Sequence, residues 1–339
     1  MLKVGIIGLG DVSFIHLMAV RQSPLAELVA ACEIDPAKNE LVPDAKFYTD
    51  YQEMINNERL DCVHICLPHN LHYPVAKACI ERGIHVFTEK PLAANIQQAE
   101  DFVKLEETNN HVKVGVCFQN RYNKTFQTLQ KNVINGEYGK LFGVKGIVSW
   151  YRPKSYYDAK PWRGILKRSG GGVMINQAIH TLDLMQLLCG KIANIRGAIS
   201  NLLDYGYEVE DTATARITFE NGATGLFYAT NANSVNSSVE LEVILEKARF
   251  LIKENRLLKI NEDGTIEVII EDDKLSGSKS YYGASHCIAI ETFYKCIAEN
   301  KNDYIHAKDG FVTMKMIDAI VRSSHLNTPI AFERYELIR

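Results

Sequence analysis

Short apolar segments alternate with longer amphipathic segments from residue 2 to about residue 118. The apolar segments have the length and composition of strands, and the segments between them have the apolar spacing of helices. The predicted strands are Leu2–Ile7, Leu28–Cys32, Asp61–Cys66, Ile84–Phe87 and Lys113–Cys117. Such alternation indicates repeated βαβ units, which right-handed crossovers wind into one parallel sheet. The first part of the chain is therefore predicted to be a doubly wound α/β domain.

The pattern changes after Tyr122. The elements predicted beyond it are helices at Lys124–Ile134, Met174–Leu188, Ser285–Glu299 and Lys308–Ser323, a strand at Leu141–Trp150, and a run of strands from Ile192. Asn221-Gly222 and Asp263-Gly264 lie between pairs of these strands and predict tight hairpins, which makes the run an antiparallel meander. We therefore divide the chain into two domains, residues 1–120 and 121–339.

The chain length agrees with two domains, since 339 residues are more than one ordinary hydrophobic core organises. The net charge of −3 gives no reason to expect a nucleic-acid or membrane partner. The N-terminal apolar run is too short for a signal peptide and no later run reaches spanning length, so we expect a cytoplasmic protein. The eight cysteines are spread through apolar segments, and we expect free buried thiols.

Gly8-Leu9-Gly10-Asp11-Val12-Ser13 follows the first predicted strand and opens the first predicted helix. In that setting the first glycine permits a tight turn and the second lets a pyrophosphate approach the backbone at a helix N-terminus. We predict that Gly8, Gly10, Asp11 and Val12 contact a dinucleotide. Ser13 replaces the third glycine, so a merely structural turn is the alternative interpretation.

Glu33 ends the second predicted strand, about twenty residues after the glycines. An acid at this point accepts hydrogen bonds from the ribose hydroxyls of NAD and repels the 2′-phosphate of NADP. We therefore predict NAD as the cofactor, with NADP less favoured. The alternative is a solvated loop acid.

The apolar segment Ile84–Phe87 ends in Thr88-Glu89-Lys90-Pro91. Ligands of parallel α/β sheets collect at the carboxyl ends of the strands, so Lys90 is a candidate site residue. Pro91 keeps Lys90 out of the helical region and makes a cis peptide bond plausible. A solvated Glu-Lys pair in a loop is the alternative.

The third predicted strand contains Cys62, His64 and Cys66, whose side chains share one face. We reject a metal site there and predict none, because a central parallel strand is buried on both faces and sulfur side chains pack well in a core. The strand continues into a polar loop at the expected cofactor edge. Leu67, Asn70 and His72 in or beside this loop are predicted to contact the cofactor.

Asn176, His180 and Asp183 stand at i, i+4 and i+7 in a predicted helix that follows three glycines. A regular helix would bring all three onto one face. We interpret His180 as a functional residue, although a lone helical histidine is more often structural.

These motifs together resemble the Gfo/Idh/MocA oxidoreductase family over essentially the whole chain. The quoted segments are Gly8-Leu9-Gly10, Pro68-x-Asn70-x-His72, Glu89-Lys90-Pro91, Gln119-Asn120-Arg121-Tyr122, Trp162-Arg163 and the three glycines before His180-x-x-Asp183. The resemblance implies an NAD-binding Rossmann domain and a second α/β domain with a large, open, mostly antiparallel sheet. That second domain commonly binds substrate and forms a homodimer or homotetramer.

The resemblance also implies reversible oxidation of a secondary alcohol on a sugar, a cyclitol or a related compound. The family's lysine and histidine at the positions of Lys90 and His180 face the reacting hydroxyl. Many members carry aspartate where this chain has Asn176, which weakens the case for an Asp-His acid/base pair. In this departure the chain is similar to members that act on nucleotide-linked or otherwise substituted sugars. The remaining predicted substrate contacts are Arg121, Tyr122, Tyr282 and His286, together with Asn176, and the remaining cofactor contacts are Glu89, Lys90, Gln119, Trp162 and Arg163.

His180 is our first choice for the base, because an imidazole titrates near neutrality. A lysine would need its pKa lowered to act in that way, so Lys90 is assigned to orienting the hydroxyl and stabilising the oxyanion. Two other functions stay open at this point: an NAD-dependent glycosidase acting by transient oxidation, and a non-enzymatic regulator that binds NAD and a sugar.

Overall fold

A computed structural model describes residues 1–273 and 284–332. Contacts between residues group them into two compact units. Within the described ranges, the first unit contains 1–119 and 284–311, and the second contains 120–273 and 312–332. The roles assigned to the two predicted domains stay predictions. The prediction placed a single boundary at residue 120. In the structure, residues 284–311 group with the first unit, although they come after residues 120–273 of the second unit along the chain.

The first unit is built on a six-stranded sheet in the order β3-β2-β1-β4-β5-β6, in which every neighbouring pair is parallel. Its strands are β1 (Leu2–Ile7), β2 (Ala26–Cys32), β3 (Lys46–Tyr48), β4 (Cys62–Ile65), β5 (His85–Glu89) and β6 (Val114–Cys117). The predicted doubly wound parallel sheet is confirmed. The strand that was not predicted, β3, has only three residues and so shows no periodicity.

The helices lie in the predicted amphipathic segments, apart from two short ones at Lys154–Asp158 and Leu166–Ser169 in a region that was predicted to be a loop. They are α1 (Ser13–Gln22), α2 (Tyr51–Asn57), α3 (His72–Ile80), α4 (Ile96–Thr108), α5 (Lys124–Ile134), α6 (Lys154–Asp158), α7 (Leu166–Ser169), α8 (Ile179–Cys189), α9 (Ser285–Ala298) and α10 (Ala307–Leu326). Short 3₁₀ segments lie at Pro36–Leu41, His69–Leu71, Gln119–Tyr122 and Pro161–Gly164. None of the helices in the described ranges is long and apolar enough to span a bilayer.

The second unit contains a nine-stranded sheet in the order β14-β13-β12-β11-β7-β10-β9-β8-β15. Its strands are β7 (Leu141–Ser149), β8 (Ile192–Ser200), β9 (Thr212–Phe219), β10 (Thr224–Thr230), β11 (Glu240–Leu245), β12 (Arg249–Lys253), β13 (Arg256–Ile260), β14 (Ile266–Glu271) and β15 (Ile330–Ala331). Both predicted hairpins form, as antiparallel pairs β9–β10 and β13–β14. The pair β7–β10 is parallel, so the sheet is mostly rather than wholly antiparallel.

One face of this sheet is covered by α8. A Cβ atom added to Gly146 in β7 would lie 2.5 Å from the Thr181 side chain and 2.6 Å from the Met185 sulfur. The glycine therefore lets the helix approach the sheet closely. Close packing at this point fixes the helix that carries His180.

The helix predicted over Met174–Leu188 is a composite. Met174–Ala178 forms a π-helix, and the regular α-helix α8 begins at Ile179. A π-turn widens the helix and is frequent at functional sites. The regular α-helical spacing assumed in the prediction therefore holds for His180 and Asp183 but does not extend back to Asn176.

The cysteines agree with the prediction of free thiols. All eight lie within the described ranges, and none of them forms a disulfide. All are buried except Cys287, which is half-buried.

Candidate active site

The turn after β1 has the geometry that its glycines predict. Gly8 has φ of +92°, and a Cβ atom added there would lie 2.5 Å from the Cys66 carbonyl oxygen. An added Cβ at Gly10 would meet nothing within 4 Å, so space beside this backbone is open. Ser13, which replaces the third glycine, is buried and donates a 2.7 Å hydrogen bond to the Gly10 carbonyl. The serine therefore stabilises the turn.

Glu33 lies beside this turn. Its Oε2 accepts a 2.8 Å hydrogen bond from the Leu9 amide, which holds the carboxylate at the end of β2. A carboxylate oxygen has lone pairs for more than one donor, so Glu33 can still accept from ribose hydroxyls. The turn and the acid together fit NAD: the open backbone suits a pyrophosphate, and the fixed negative charge disfavours a 2′-phosphate.

The carboxyl end of β5 delivers Lys90. The strand ends at Glu89, the Lys90-Pro91 peptide bond is cis, and the Lys90 side chain is half-buried. The buried ring of His72 bridges the Pro91 carbonyl, at 2.7 Å, and the Leu67 carbonyl, at 2.8 Å. His72 therefore ties the loop after β5 to the loop after β4.

Glu89 is buried among histidines. Its Oε1 lies 3.0 Å from Nε2 of His16 and 3.6 Å from Nε2 of His286. Burial alone would raise the pKa of Glu89, but the hydrogen bond from His16 and the nearby ring of His286 outweigh burial and hold that pKa well below its usual range. Glu89 is thus an ionised carboxylate inside the first unit.

The hydrogen bonds continue beyond His16. Nδ1 of His16 lies 2.8 Å from Nδ1 of His64, and Nε2 of His64 lies 2.7 Å from the hydroxyl of Tyr294. Burial lowers the pKa of His64 well below its usual value, so its ring is neutral. We call Tyr294, His64 and His16 the histidine chain.

Three buried side chains at this point are metal-ligand types. The ligand atoms of His16, Glu89 and Cys117 lie within 4.8 Å of one another. The Cys117 thiol, however, donates a hydrogen bond of 3.8 Å to Oε1 of Gln119. His16 faces Glu89 at hydrogen-bond distance. We therefore interpret the cluster as a hydrogen-bonded network.

In the second unit, Asp183 is held by Arg121. Nε and Nη2 of Arg121 donate to the two Asp183 carboxylate oxygens at 2.8 and 2.6 Å. Thr313 donates a further hydrogen bond of 3.3 Å. Asp183 is buried, so this bidentate pair fixes the turn of α8 that follows His180.

The glycines before the π-helix are required by a close backbone approach. A Cβ atom added to Gly172 would lie 1.7 Å from the Glu210 carbonyl oxygen. The buried Glu210 carboxylate accepts from the Gly172 amide at 2.8 Å and from the Met174 amide at 3.1 Å. Glu210 therefore caps the segment that leads to Asn176 and His180. No sequence pattern predicted this role of Glu210.

Aromatic side chains of residues 150–163 support the same segment. Gln177 donates to the Tyr156 hydroxyl at 3.0 Å and accepts from Asn231 at 3.2 Å. The guanidinium of Arg163 stacks 4.1 Å from the centre of the Tyr156 ring. Asn231 also donates to the Tyr157 hydroxyl at 3.2 Å, so the loop and the π-helix form one hydrogen-bonded network.

Two family models match this chain. A model of an oxidoreductase family with an NAD-binding Rossmann fold matches residues 2–118, and a model of the GFO/IDH/MocA C-terminal domain matches residues 126–251. The chain belongs to the Gfo/Idh/MocA family. The resemblance predicted from its motifs is confirmed.

Relatives within the Gfo/Idh/MocA family include dehydrogenases of cyclitols. Myo-inositol 2-dehydrogenase of Thermotoga maritima is 25% identical over 324 residues, which are 91% of this chain and 92% of that relative. Inositol 2-dehydrogenase of Salmonella typhimurium is 31% identical over 170 residues, which are 46% of this chain and 51% of that relative. The WlbA dehydrogenase from Bordetella pertussis, in complex with NADH and UDP-GlcNAcA, has a TM-score of 0.85 at 25% identity, covering 98% of both chains.

Family membership and these relatives establish the reaction class. The protein is an NAD-dependent oxidoreductase of the Gfo/Idh/MocA family, and the predicted enzyme class and cofactor are confirmed. The comparisons give no support to the glycosidase or the regulator.

The predicted site residues divide between the two units. The first unit contains Gly8, Gly10, Asp11, Val12, Glu33, Leu67, Asn70, His72, Glu89, Lys90, Gln119 and His286, and the second contains Arg121, Tyr122, Trp162, Arg163, Asn176 and His180. Tyr282 lies outside the described residues. His286 faces Glu89 and Arg121 faces Asp183, while the contacts of these residues with cofactor or substrate stay predictions.

Proposed function

We propose that this protein transfers a hydride reversibly between nicotinamide and a secondary alcohol of a sugar, cyclitol or sugar derivative, with Lys90 and His180 as the residues that face the alcohol. The observation that carries this proposal is the position of Lys90. It follows β5 at the carboxyl edge of the same parallel sheet that carries the Gly8 turn and Glu33. Cofactors of such sheets bind at that edge.

The residues of this edge account for cofactor binding. Gly8, Gly10, Asp11 and Val12 offer backbone to the pyrophosphate, and Glu33 accepts from the adenosine ribose. Ile34, beside Glu33, is 84% exposed and gives the adenine an apolar surface to cover. The other proposed cofactor contacts are Leu67, Asn70, His72, Glu89, Lys90, Gln119, Trp162 and Arg163. NAD, when bound, supplies the hydride acceptor.

The chain's own residues handle the proton. Hydride loss from a carbinol carbon requires its hydroxyl proton to leave, and a placed base accelerates this by about 100- to 10,000-fold. His180 accepts that proton, and Lys90 orients the hydroxyl and stabilises the developing negative charge. Asn176 hydrogen-bonds the substrate without titrating, and Arg121, Tyr122, Tyr282 and His286 line the substrate side.

Two features favour a substituted sugar as substrate. The chain carries Asn176 where many family members carry aspartate. Arg152 also stacks over Trp150, 4.7 Å from its ring centre, in a loop that adjoins the π-helix through Gln177 and Tyr156. A guanidinium and aromatic faces recognise carboxylates, phosphates and bases. The WlbA dehydrogenase complex contains such a ligand, UDP-GlcNAcA.

The experiment is a screen of NAD reduction over cyclitols, hexoses, sugar acids and nucleotide-linked sugar acids. We expect NADH to accumulate with at least one of them, and Lys90→Ala to lower turnover far more than NAD affinity. The matched control is Lys104→Ala, because Lys104 is an exposed lysine paired with Glu100 on α4. Release of an aglycone without NADH accumulation would support the glycosidase, and an active Lys90→Ala enzyme would refute the role of Lys90.

We also propose that a second copy of this chain covers the open face of the nine-stranded sheet. Leu226 is 54% exposed and Ile244 is 38% exposed, and both lie on the face opposite Gly146 and α8. They flank Lys145, which pairs with Glu242 at 2.5 Å. Apolar side chains around a compensated ion pair suit the core of an interface between copies.

Sedimentation of the wild-type protein tests this assembly. We expect a dimer or tetramer, and Leu226→Glu should reduce it because the charge would be buried on assembly. Ile266→Glu is the control, since Ile266 is also exposed but lies on the edge strand β14. A wild-type monomer would refute the proposal.

A further inference from the structure

The segment that follows β7 carries a strong positive charge. Residues 150–168 contain six basic residues and one acidic residue, whereas the whole chain has a net charge of −3. The acidic residue, Asp158, is paired with Lys154 at 2.9 Å. The excess of positive charge makes this segment a place where an anionic ligand gains from electrostatic attraction.

Arg152 is held in a fixed orientation within this segment. Its Cζ atom lies 4.7 Å from the centre of the Trp150 ring and 5.3 Å from the centre of the Tyr156 ring. Its Nη1 donates to the Tyr151 carbonyl at 2.8 Å and to Oδ1 of Asn236 at 2.9 Å. Two aromatic rings and two acceptors at one nitrogen together fix the plane of the guanidinium group.

The edge of this guanidinium formed by Nε and Nη2 is left for a ligand. A guanidinium has five N–H donors and accepts no hydrogen bond. Both acceptors of Arg152 are at Nη1, and within residues 1–273 and 284–332 no carboxylate pairs with this side chain. Arg152 is half-buried, so a ligand can reach it from solvent. Parallel N–H groups at such an edge match the two oxygens of a carboxylate or a phosphate.

Another arginine of the same unit shows how this edge binds a carboxylate. Nε and Nη2 of Arg121 donate to the two oxygens of Asp183 at 2.8 and 2.6 Å. In Arg152 the same two nitrogens have no acceptor among the residues that the structure describes. The second arginine is thus oriented as the first is, but its acceptor has to come from a ligand.

Two sets of contacts join Arg152 to the π-helix. Tyr156, which lies against Arg152, accepts a 3.0 Å hydrogen bond from Nε2 of Gln177 through its hydroxyl. The Arg152 amide donates to the Asn231 carbonyl at 3.0 Å, and the Asn231 side chain donates to Oε1 of Gln177 at 3.2 Å. Gln177 belongs to the π-helix, which carries one of the proposed substrate contacts. Arg152 is therefore one side chain away from the helix that binds the sugar in the proposed function.

We propose that Arg152 binds an oxyanion substituent of the substrate, a carboxylate or a phosphate group, through Nε and Nη2, and that the enzyme therefore prefers sugars with such a group over the neutral parent sugars. Arg152 is then a specificity-determining residue that makes the same contact before and during hydride transfer. Loss of such a contact raises KM and leaves kcat nearly unchanged. The proposal rests on the proposed function in taking the π-helix as part of the substrate site.

The first test measures binding without turnover. The chain has two tryptophans, so Trp162→Phe leaves Trp150, the ring against Arg152, as the sole tryptophan. This protein is saturated with NADH, so that sugars bind without being oxidised, and its emission is titrated with glucuronate, glucose 6-phosphate and glucose. We expect at least one anion to bind about ten-fold more tightly than glucose, and the tighter anion identifies the substituent. An equal response to the three sugars, or no response to any of them, overturns the proposal.

Two variants separate the contact from the general charge. Arg152→Lys keeps a positive charge but lacks the planar edge, and Arg168→Gln removes one charge from an exposed arginine of the same segment. We expect Arg152→Lys to weaken binding of the tighter anion by about 10- to 100-fold, and Arg168→Gln to change it by less than about three-fold. Arg152→Gln, used if Arg152→Lys does not fold, should lose at least as much. An equal loss in Arg168→Gln overturns the proposal, because general charge would then bind the anion.

Kinetic measurements give a readout that a purely structural role of Arg152 would not produce. With an anionic substrate from the NAD-reduction screen, Arg152→Lys should raise its KM by about 10- to 100-fold and change kcat by less than about three-fold. A fall in kcat at unchanged KM would overturn the binding role. If no substrate reduces NAD, the proposed function fails, and the fluorescence titration still decides whether Arg152 binds an oxyanion.

Discussion

Each unit contains a buried carboxylate close in sequence to a proposed catalytic residue, and the two carboxylates have different partners. Glu89, next to Lys90, is held by imidazoles of His16 and His286. Asp183, three residues after His180, is held by the guanidinium of Arg121. An arginine keeps its charge at every accessible pH, whereas an imidazole can gain or lose a proton near neutral pH. The hydrogen bonds around Glu89 therefore depend on where the imidazole protons lie, whereas the ion pair of Asp183 does not.

The largest expected effect comes from the permanent charge. Arg121→Leu leaves Asp183 buried without its guanidinium and should lower the free energy of unfolding by about 3 to 5 kcal/mol. Arg121→Leu combined with Asp183→Leu should recover most of this loss, because the uncompensated charge is gone. Chemical denaturation of both variants checks the prediction. Equal stability of Arg121→Leu and wild type would contradict the assigned pairing.

A smaller effect is expected where backbone atoms leave no room for a Cβ. Gly172→Ala places that atom 1.7 Å from the Glu210 carbonyl oxygen and should cost about 1 to 3 kcal/mol of stability. Gly10→Ala meets nothing within 4 Å and should leave stability unchanged while it weakens NAD binding. Thermal denaturation and NAD titration of both variants separate the two roles. A destabilised Gly10→Ala protein with full NAD affinity would reverse them.

The pH dependence of stability sharpens the comparison further. Burial lowers the pKa of His64 in the folded protein, so the unfolded chain binds more protons below its ordinary pKa of about 6.5. Above that pH, His64 does not lower the free energy of unfolding. Below it, the free energy of unfolding falls with pH because of this histidine, by at most about 1.4 kcal/mol per pH unit. His306, whose pKa is raised by Glu106, has the opposite slope.

The difference between wild type and His64→Gln isolates the His64 term, since His306 is present in both proteins. Wild type should lose stability faster than the variant between about pH 6.5 and 5. Parallel stability curves over that range would show that His64 is not buried as a neutral ring.

The smallest expected effect is on the pH dependence of kcat/KM. Asn176→Asp restores the acid that many family members carry and adds a negative charge one helical turn before His180. The added charge should favour a protonated His180 and move the acid limb of the kcat/KM profile toward higher pH, by less than about one unit because the intervening turn is a π-helix. An unchanged profile would place Asn176 away from the reacting group.

The sequence predicted the features that depend on local periodicity and spacing. The strands β1, β2, β4, β5 and β6 carry apolar runs, and the Gly8 turn and Glu33 follow them at fixed offsets. Asn95 immediately precedes an amphipathic segment, which is the pattern of a helix N-cap, and it caps α4 by accepting from the Gln98 amide at 2.9 Å. Such features can be predicted from the sequence because each depends on residues within about one helix or strand of each other.

The features that the sequence did not predict depend on distant pairings. His64 was interpreted as a core residue, and its partners His16 and Tyr294 are 48 and 230 residues away along the chain. His16 stands between apolar Ile15 and Leu17 in the sequence, which indicates that it is buried. That pattern does not identify the residues with which it forms hydrogen bonds. The capping by Glu210 arises in the same way, from a close approach between residues 172 and 210.

The most direct test of the account is to compare turnover and NAD affinity in Lys90→Ala. The account predicts that turnover with the best substrate of the screen falls by about 100-fold or more, because the cation that orients the hydroxyl is lost, while the dissociation constant of NAD stays near that of wild type and of Lys104→Ala. Turnover equal to wild type, or a loss explained wholly by weaker NAD binding, would contradict it.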